Sequence, residues 1–219
     1  GLGCVIFIST WIFSGLMSMY PWGIFDNATN ADEQLARYYG GPLDQLDDFP
    51  QLNAALQNGK PVKEVEWRRL GNVRYLVLRH DAADSSTLLP AGIGTHAPLQ
   101  SLIHRNTPAL QPQAHIAQQR TLTQYDSWYY SHHNRHRPLP VLELRFDDAE
   151  RSWYHIDLNT GAVVQRLTAT DRWARWLYNG LHSLDFAALF QHRPLWDITL
   201  ITLLLAGFVF SLTAVMIGW

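Results

Sequence analysis

The run WDITLITLLLAGFVFSLTAVMIGW, residues 196–219, constrains this chain more than any other stretch. From Ile198 onward it contains no Asp, Glu, Lys or Arg, and a run of that length and apolarity crosses a bilayer as one helix. Residues 1–20, GLGCVIFISTWIFSGLMSMY, are equally free of charge. Their polar atoms belong to Ser9, Thr10, Ser14 and Ser18, whose hydroxyls can bond back to helix carbonyls inside lipid. A cleaved signal peptide is the competing reading, but the basic leader and small-residue cleavage site it needs are not visible. The sequence therefore predicts two transmembrane helices, 1–22 and 196–219, around a charged middle domain, 23–170. The whole-chain mean hydropathy of -0.13 averages over both kinds of composition and hides the division.

The ends of the spans carry further expectations. Tyr20, Pro21, Trp22 and Phe25 suit a helix leaving the hydrocarbon for the headgroup layer, and Trp196 and Trp219 mark the second span in the same way. Thr10, Ser14 and Ser18 recur every four residues beside Gly15, and the second run has small residues four apart at Gly207 and Ser211, then at Ala214 and Gly218. Such faces let helices approach closely, so the spans are expected to pack with each other or with other transmembrane helices of the same longer protein. The missing initial Met and the end inside an apolar run read as a segment of such a protein.

The single cysteine, Cys4, lies in the first apolar run, which excludes Cys-based metal or redox chemistry from the middle domain. A net charge of -2 gives no electrostatic case for nucleic-acid binding.

Within the middle domain, ADEQLARYY and LDQLDDFPQLNAALQNG predict two short helices over 31–58, the second stopping at Gly59. Val62, Val65 and Trp67, a Gly71-Asn72 turn, and the alternation of Val73, Tyr75 and Val77 with Arg74, Leu76 and Leu78 predict a β-hairpin over about 62–80. Residues 82–112 hold much of the Pro, Gly, Ser and Thr and read as connection with little regular structure. A helix is expected from Ala114 to about Ser131. PLPVLELRFDD, RSWYHIDL and GAVVQRL then predict three strands over about 140–167, with turns at 147–150 and at Asn159-Thr160-Gly161. Residues 171–195 read as a juxtamembrane amphipathic helix whose Arg and Trp side chains seat on lipid headgroups. The fold class expected is α+β.

SWYHIDLNTGAVVQRL followed by DRWARWLYNGLHSLDF closely resembles the PepSY-associated transmembrane proteins, the membrane-embedded PepSY family. The resemblance is carried by Tyr154, Ile156, Asp157, Thr160 and Gly161, then Arg172, Trp176, Leu181, His182 and Ser183. TWIFSGLMSMYPWG also looks like a family helix leaving the membrane. The resemblance implies a bacterial inner-membrane protein with its PepSY-like α+β domain in the periplasm. It also implies relatives that reduce ferric siderophores in iron uptake, passing electrons through membrane haem. Because a PepSY domain resembles the propeptide of certain metallopeptidases, a peptidase-regulating role is a second implication.

Two constellations could carry chemistry. His182, near one membrane surface, could ligate the iron of haem b, and Arg175 on the same helical stripe could pair a propionate. The plainer reading has His182 hydrogen-bonding near a helix end. In YYSHHNRHRP, His132 and His136 are four apart and would share a helix face able to hold a divalent metal or meet a ferric siderophore. Against this stand Pro138 and Pro140, the neighbouring Arg135 and Arg137, and a solvated basic loop as the ordinary alternative. No Gly-x-Ser-x-Gly elbow, His-Glu-x-x-His or glycine-rich phosphate loop is present, so no catalytic residue is assigned. Asp147 and Asp148, in a hairpin turn, receive no role.

The resemblance thus implies haem-based transmembrane electron transfer in iron uptake. The alternative is a non-enzymatic PepSY module that regulates a peptidase or senses an envelope ligand, and a subunit that only packs with other helices is the third.

Overall fold

The computed structural model describes residues 2–19, 31–43, 49–80, 86–91, 98–131, 136–180, 184, 186, 189 and 192–218. The chain divides into two units. One comprises Thr29–Tyr125 with Ser131–Leu167, and the other Gly1–Ala28, Asp126–Tyr130 and Thr168–Trp219.

The first unit is α+β with two antiparallel sheets. The alternation around Gly71 forms the expected hairpin, β1 (Glu64–Leu70) with β2 (Val73–Arg79), in the register Leu70↔Val73 and Trp67↔Leu76. Successive side chains on a strand point to opposite faces, and β2 is covered on both. Leu76 and Leu78 pack with Leu52 of α3 (Phe49–Asn58) and with Val65 and Trp67, while Tyr75 and Val77 join the main core. That double burial accounts for the unbroken apolar run Tyr75–Leu78.

Residues 82–112 depart from the expected connection. Ser86–Ala91 forms β3, an edge strand on β2, with Leu89 opposite Leu76 and Pro90 opposite Tyr75. Proline is tolerated there because an edge strand needs only one side of its ladder. Leu99–Asn106 forms helix α4, which buries Leu102 and Ile103 and continues as a 3₁₀ turn, Thr107–Leu110.

The helix expected from Ala114 is instead strand β4 (Ile116–Leu122). Its Gln-rich centre favours helix by propensity, but antiparallel pairing with β5 (Val141–Phe146) from Ile116↔Phe146 to Leu122↔Val141 overrides a preference worth only tenths of a kcal/mol per residue. β6 (Trp153–Asp157) and β7 (Val163–Leu167) complete a meander in the order β4-β5-β6-β7, and the last three strands lie where the sequence put them. Leu142, Leu144, Phe146, Tyr154 and Ile156 bring one face of this sheet into the core. There they share a cluster with Tyr38 of α2 (Ala31–Tyr39), Tyr75, Val77 and the buried residues of α4. Helix α2 ends where Gly40 and Gly41 take φ of +83° and +95° and both N–H groups donate to the Ala36 carbonyl, a glycine-dependent stop.

In the second unit, α1 spans Leu2–Ser18, and α5 (Ala169–Ala174) starts from a capping box in which Thr168 and Asp171 bond reciprocally. The helix then widens into a π segment, Arg175–Gly180, and Leu184 has φ +51°, so the helical part of 171–195 adjoining α5 ends before Leu184. Helix α6 covers Arg193–Gly218, and its part Pro194–Gly218 is the one described helix long and apolar enough to cross a membrane. The hydroxyls of Thr199, Thr202 and Ser211 donate to carbonyls four residues back, and that of Ser14 in α1 to the Trp11 carbonyl. This back-bonding satisfies the hydroxyls without water.

Candidate functional site

The Tyr154-to-Gly161 segment is built into the fold by its hydrogen bonds. Asp157 Oδ1 accepts from the Asn159 N–H (2.9 Å) and Oδ2 from the Thr160 hydroxyl, while the Gly161 N–H donates to the Asp157 carbonyl (2.7 Å). The Asp157 N–H donates to the Ala162 carbonyl (2.8 Å). These bonds close the β6–β7 turn. Two tyrosines hold it from other elements, the Tyr75 hydroxyl donating to the Thr160 carbonyl (2.7 Å) and that of Tyr38 to the Gly161 carbonyl (3.0 Å). Burial raises the pKa of both phenols well above the ordinary tyrosine value, so they stay protonated donors. Tyr154 donates to Gln34 (2.7 Å) and accepts from Gln111 and Arg166. Asp157 and Thr160 are therefore spent on the turn.

Next to this turn lies an open cleft of about 580 Å³, lined among others by Tyr39, Arg68, Arg79, His80, His136 and Asn159. The hairpin supplies its two guanidinium groups. Arg68 donates to Glu66 through Nε (2.8 Å) and Nη2 (2.6 Å), and Arg79 Nη2 lies 3.4 Å from the other oxygen of the same carboxylate. Burial pushes Glu66 up, but Arg68 and Arg79 outweigh it and hold the carboxyl below its usual range. His80 bonds the Pro61 carbonyl through Nδ1 and the Thr87 hydroxyl through Nε2, both at 2.9 Å. A carbonyl only accepts, so Nδ1 carries a proton. The Tyr39 hydroxyl accepts the Val163 N–H (2.9 Å).

A separate ionic cluster occupies the other face of the second sheet. Glu143 is completely buried and accepts two bonds from Arg120 (2.8 Å each), one from Arg145 Nε (2.7 Å) and one from buried His155 Nε2 (3.3 Å). Desolvation pushes its pKa up, yet His155 and the two arginines more than offset that and hold it far below the ordinary carboxylate value. The register places Arg120, Glu143 and His155 directly opposite one another on β4, β5 and β6. With both oxygens of its carboxylate engaged, Glu143 ties β4, β5 and β6 together.

Of the residues singled out in the sequence, His182 and His132 lie outside the described residues. His136 is exposed and lines the cleft. Arg175 sits in the π segment, donates to the Tyr130 hydroxyl (2.5 Å) and stacks over the rings of Tyr130 and Trp128, 4.9 and 5.2 Å from their centroids. Among the described residues, no group of three or more His, Cys, Asp or Glu is placed to hold a metal ion. Sequence reading missed Arg68, Arg79, His80 and Tyr39 as a site. The period-two pattern of Glu64, Glu66 and Arg68 signalled a charged hairpin face, but nothing in it pointed to Asn159.

No protein-family model, curated protein or solved structure matches this chain.

Proposed function

We propose that this chain is a membrane-anchored binding module of PepSY type, seated in the bacterial inner membrane through α6 and α1, with its α+β unit in the periplasm and a small envelope ligand bound in the cleft. The observation that carries the reading is the cleft itself, where guanidinium, imidazole, amide and hydroxyl groups from α2, β1, β2 and the β6–β7 turn line one concave surface. Concave sites with a few convergent polar groups are where small ligands bind. The periplasmic side and the PepSY assignment rest on the Tyr154-to-Gly161 segment and the Arg/Trp-rich stretch after it. Native mass spectrometry of the full chain released from nanodiscs tests the reading. The wild type is expected to carry a retained small molecule or to take one up from periplasmic extract, and Val164→Trp, which fills the cleft from β7, abolishes the adduct. An adduct unchanged in Val164→Trp counts against the site.

A second reading, haem-based electron transfer in ferric-siderophore reduction, is favoured by Arg175. A cation lying over two aromatic rings, in the same unit as α1 and α6, is a suitable propionate partner. On that reading, membranes holding the chain show a b-type absorption band and His182→Ala removes it. An unchanged band, or none at all, sets the reading aside.

A further inference from the structure

Resting on the cleft being the binding site, we infer that its ligand is an oxyanion, a carboxylate or phosphate group held between Arg68, Arg79 and Tyr39. The inference comes from which hydrogen-bonding groups around the cleft are already used.

On the acceptor side, Asp157 is the one carboxylate among the described lining residues. It already takes the Asn159 N–H and the Thr160 hydroxyl, and it cannot turn toward a ligand without opening the β6–β7 turn. Donors are left over. Arg68 uses Nε and Nη2 on Glu66, and Arg79 points Nη2 at Glu66 and Nε at Glu64, which leaves Nη1 of each with no acceptor among the described residues. Tyr39 accepts the Val163 N–H, so its own proton is likewise uncommitted. Beside the amide oxygen of Asn159, whose Nδ2 donates to the Leu139 carbonyl, a ligand entering here meets two guanidinium groups and a phenol proton and needs acceptors to match them.

Charge points the same way, though more weakly. Glu66, the better-shielded carboxylate, serves both arginines, and the second counter-charge on Arg79 is Glu64, more than half exposed and 3.6 Å away. An exposed pair at that distance is strongly screened and holds its arginine loosely. A guanidinium forks between two carboxylates readily because its donors lie in one plane and diverge. Arg68 can keep Glu66 on its Nε–Nη2 edge while offering Nη1 to the ligand. Glu66 then acts as a positioning residue, holding both guanidiniums toward the cleft. His80, fixed by Pro61 and Thr87, belongs to the wall.

The test is isothermal titration of the full chain in nanodiscs with citrate and, separately, inorganic phosphate at constant ionic strength. Saturable binding of at least one anion is expected, and the stronger of the two titrations shows whether carboxylate or phosphate is the better fit. Arg68→Gln and Arg79→Gln should each weaken it roughly tenfold or more, and Tyr39→Phe roughly threefold, as expected for charged and neutral donors respectively. Arg105→Gln, on α4 and away from the cleft, should leave the affinity unchanged. If Arg68→Gln unfolds the hairpin, as far-ultraviolet circular dichroism would reveal, Arg79→Gln and Tyr39→Phe still decide the matter. The inference is overturned if neither anion saturates, or if these variants bind as the wild type does. A native adduct that is lost in Val164→Trp, without any anion binding, would leave the cleft standing and remove only the oxyanion. Loss of both results would remove both.

Discussion

Replacing Glu143 with glutamine is expected to lower the unfolding free energy of the α+β unit by about 3–5 kcal/mol, the cost typical of removing one partner from a buried ion pair. Two arginines and His155 converge on this fully buried carboxylate, and glutamine cannot neutralise them or accept as many bonds. The same carboxylate makes stability depend on pH. Its folded pKa lies below the unfolded value of about 4.3. Its contribution is therefore complete above that value and is lost as pH falls through it toward the folded pKa. Urea denaturation at steps from pH 7 to pH 3 should show the wild type losing stability at the acid end and Glu143→Gln showing a flatter profile from a lower start. Equal slopes would mean that Glu143 is not the group responsible.

Gly161→Ala is expected to cost about 2–5 kcal/mol. Gly161 has φ +70°, where an L side chain costs about 1–2 kcal/mol. A methyl there would also lie 2.8 Å from both Leu70 Cδ1 and the Tyr75 hydroxyl oxygen, and overpacking of that kind adds about 1–3 kcal/mol. The displaced Tyr75 hydroxyl is the donor to the Thr160 carbonyl, so the two effects share one bond. In a double-mutant cycle, Tyr75→Phe should cost about 1 kcal/mol in the wild type and less in Gly161→Ala. Additive losses would show that the methyl is accommodated without moving Tyr75. Because Asn159 and Thr160 line the cleft, Gly161→Ala should also weaken whatever binds there.

The reach of the sequence follows from how local each signal was. The hairpin around Gly71, the three strands after Leu139 and helix α6 were legible because period-two alternation, turn residues and an uncharged run are each contained in one stretch. Strand β3 was not, since Pro90 and the polar residues around it read as loop and only the neighbouring β2 gives STLLPA a ladder to join. Strand β4 was misread because IAQQRTL has helical propensity, and the pairing that overrides it comes from residues about twenty-five positions further on. The Tyr154-to-Gly161 segment was visible as a pattern, but the hydrogen bonds that hold it were not. Tyr38 and Tyr75, which hold the turn, lie 123 and 85 residues away from the carbonyls they reach. The cleft was hidden for the same cause, because Arg68, Arg79 and Asn159 meet only after both sheets have formed.

The account is tested most directly by hydrogen–deuterium exchange of the full chain in lipid nanodiscs, without anion and with saturating citrate or saturating inorganic phosphate, whichever of the two binds more tightly. It predicts slowed exchange at Arg68, at Arg79 and His80, and across Asn159–Val164, with the amides of Arg175–Gly180 unchanged. Exchange unaltered around the cleft, or protection found only in Arg175–Gly180, would contradict it.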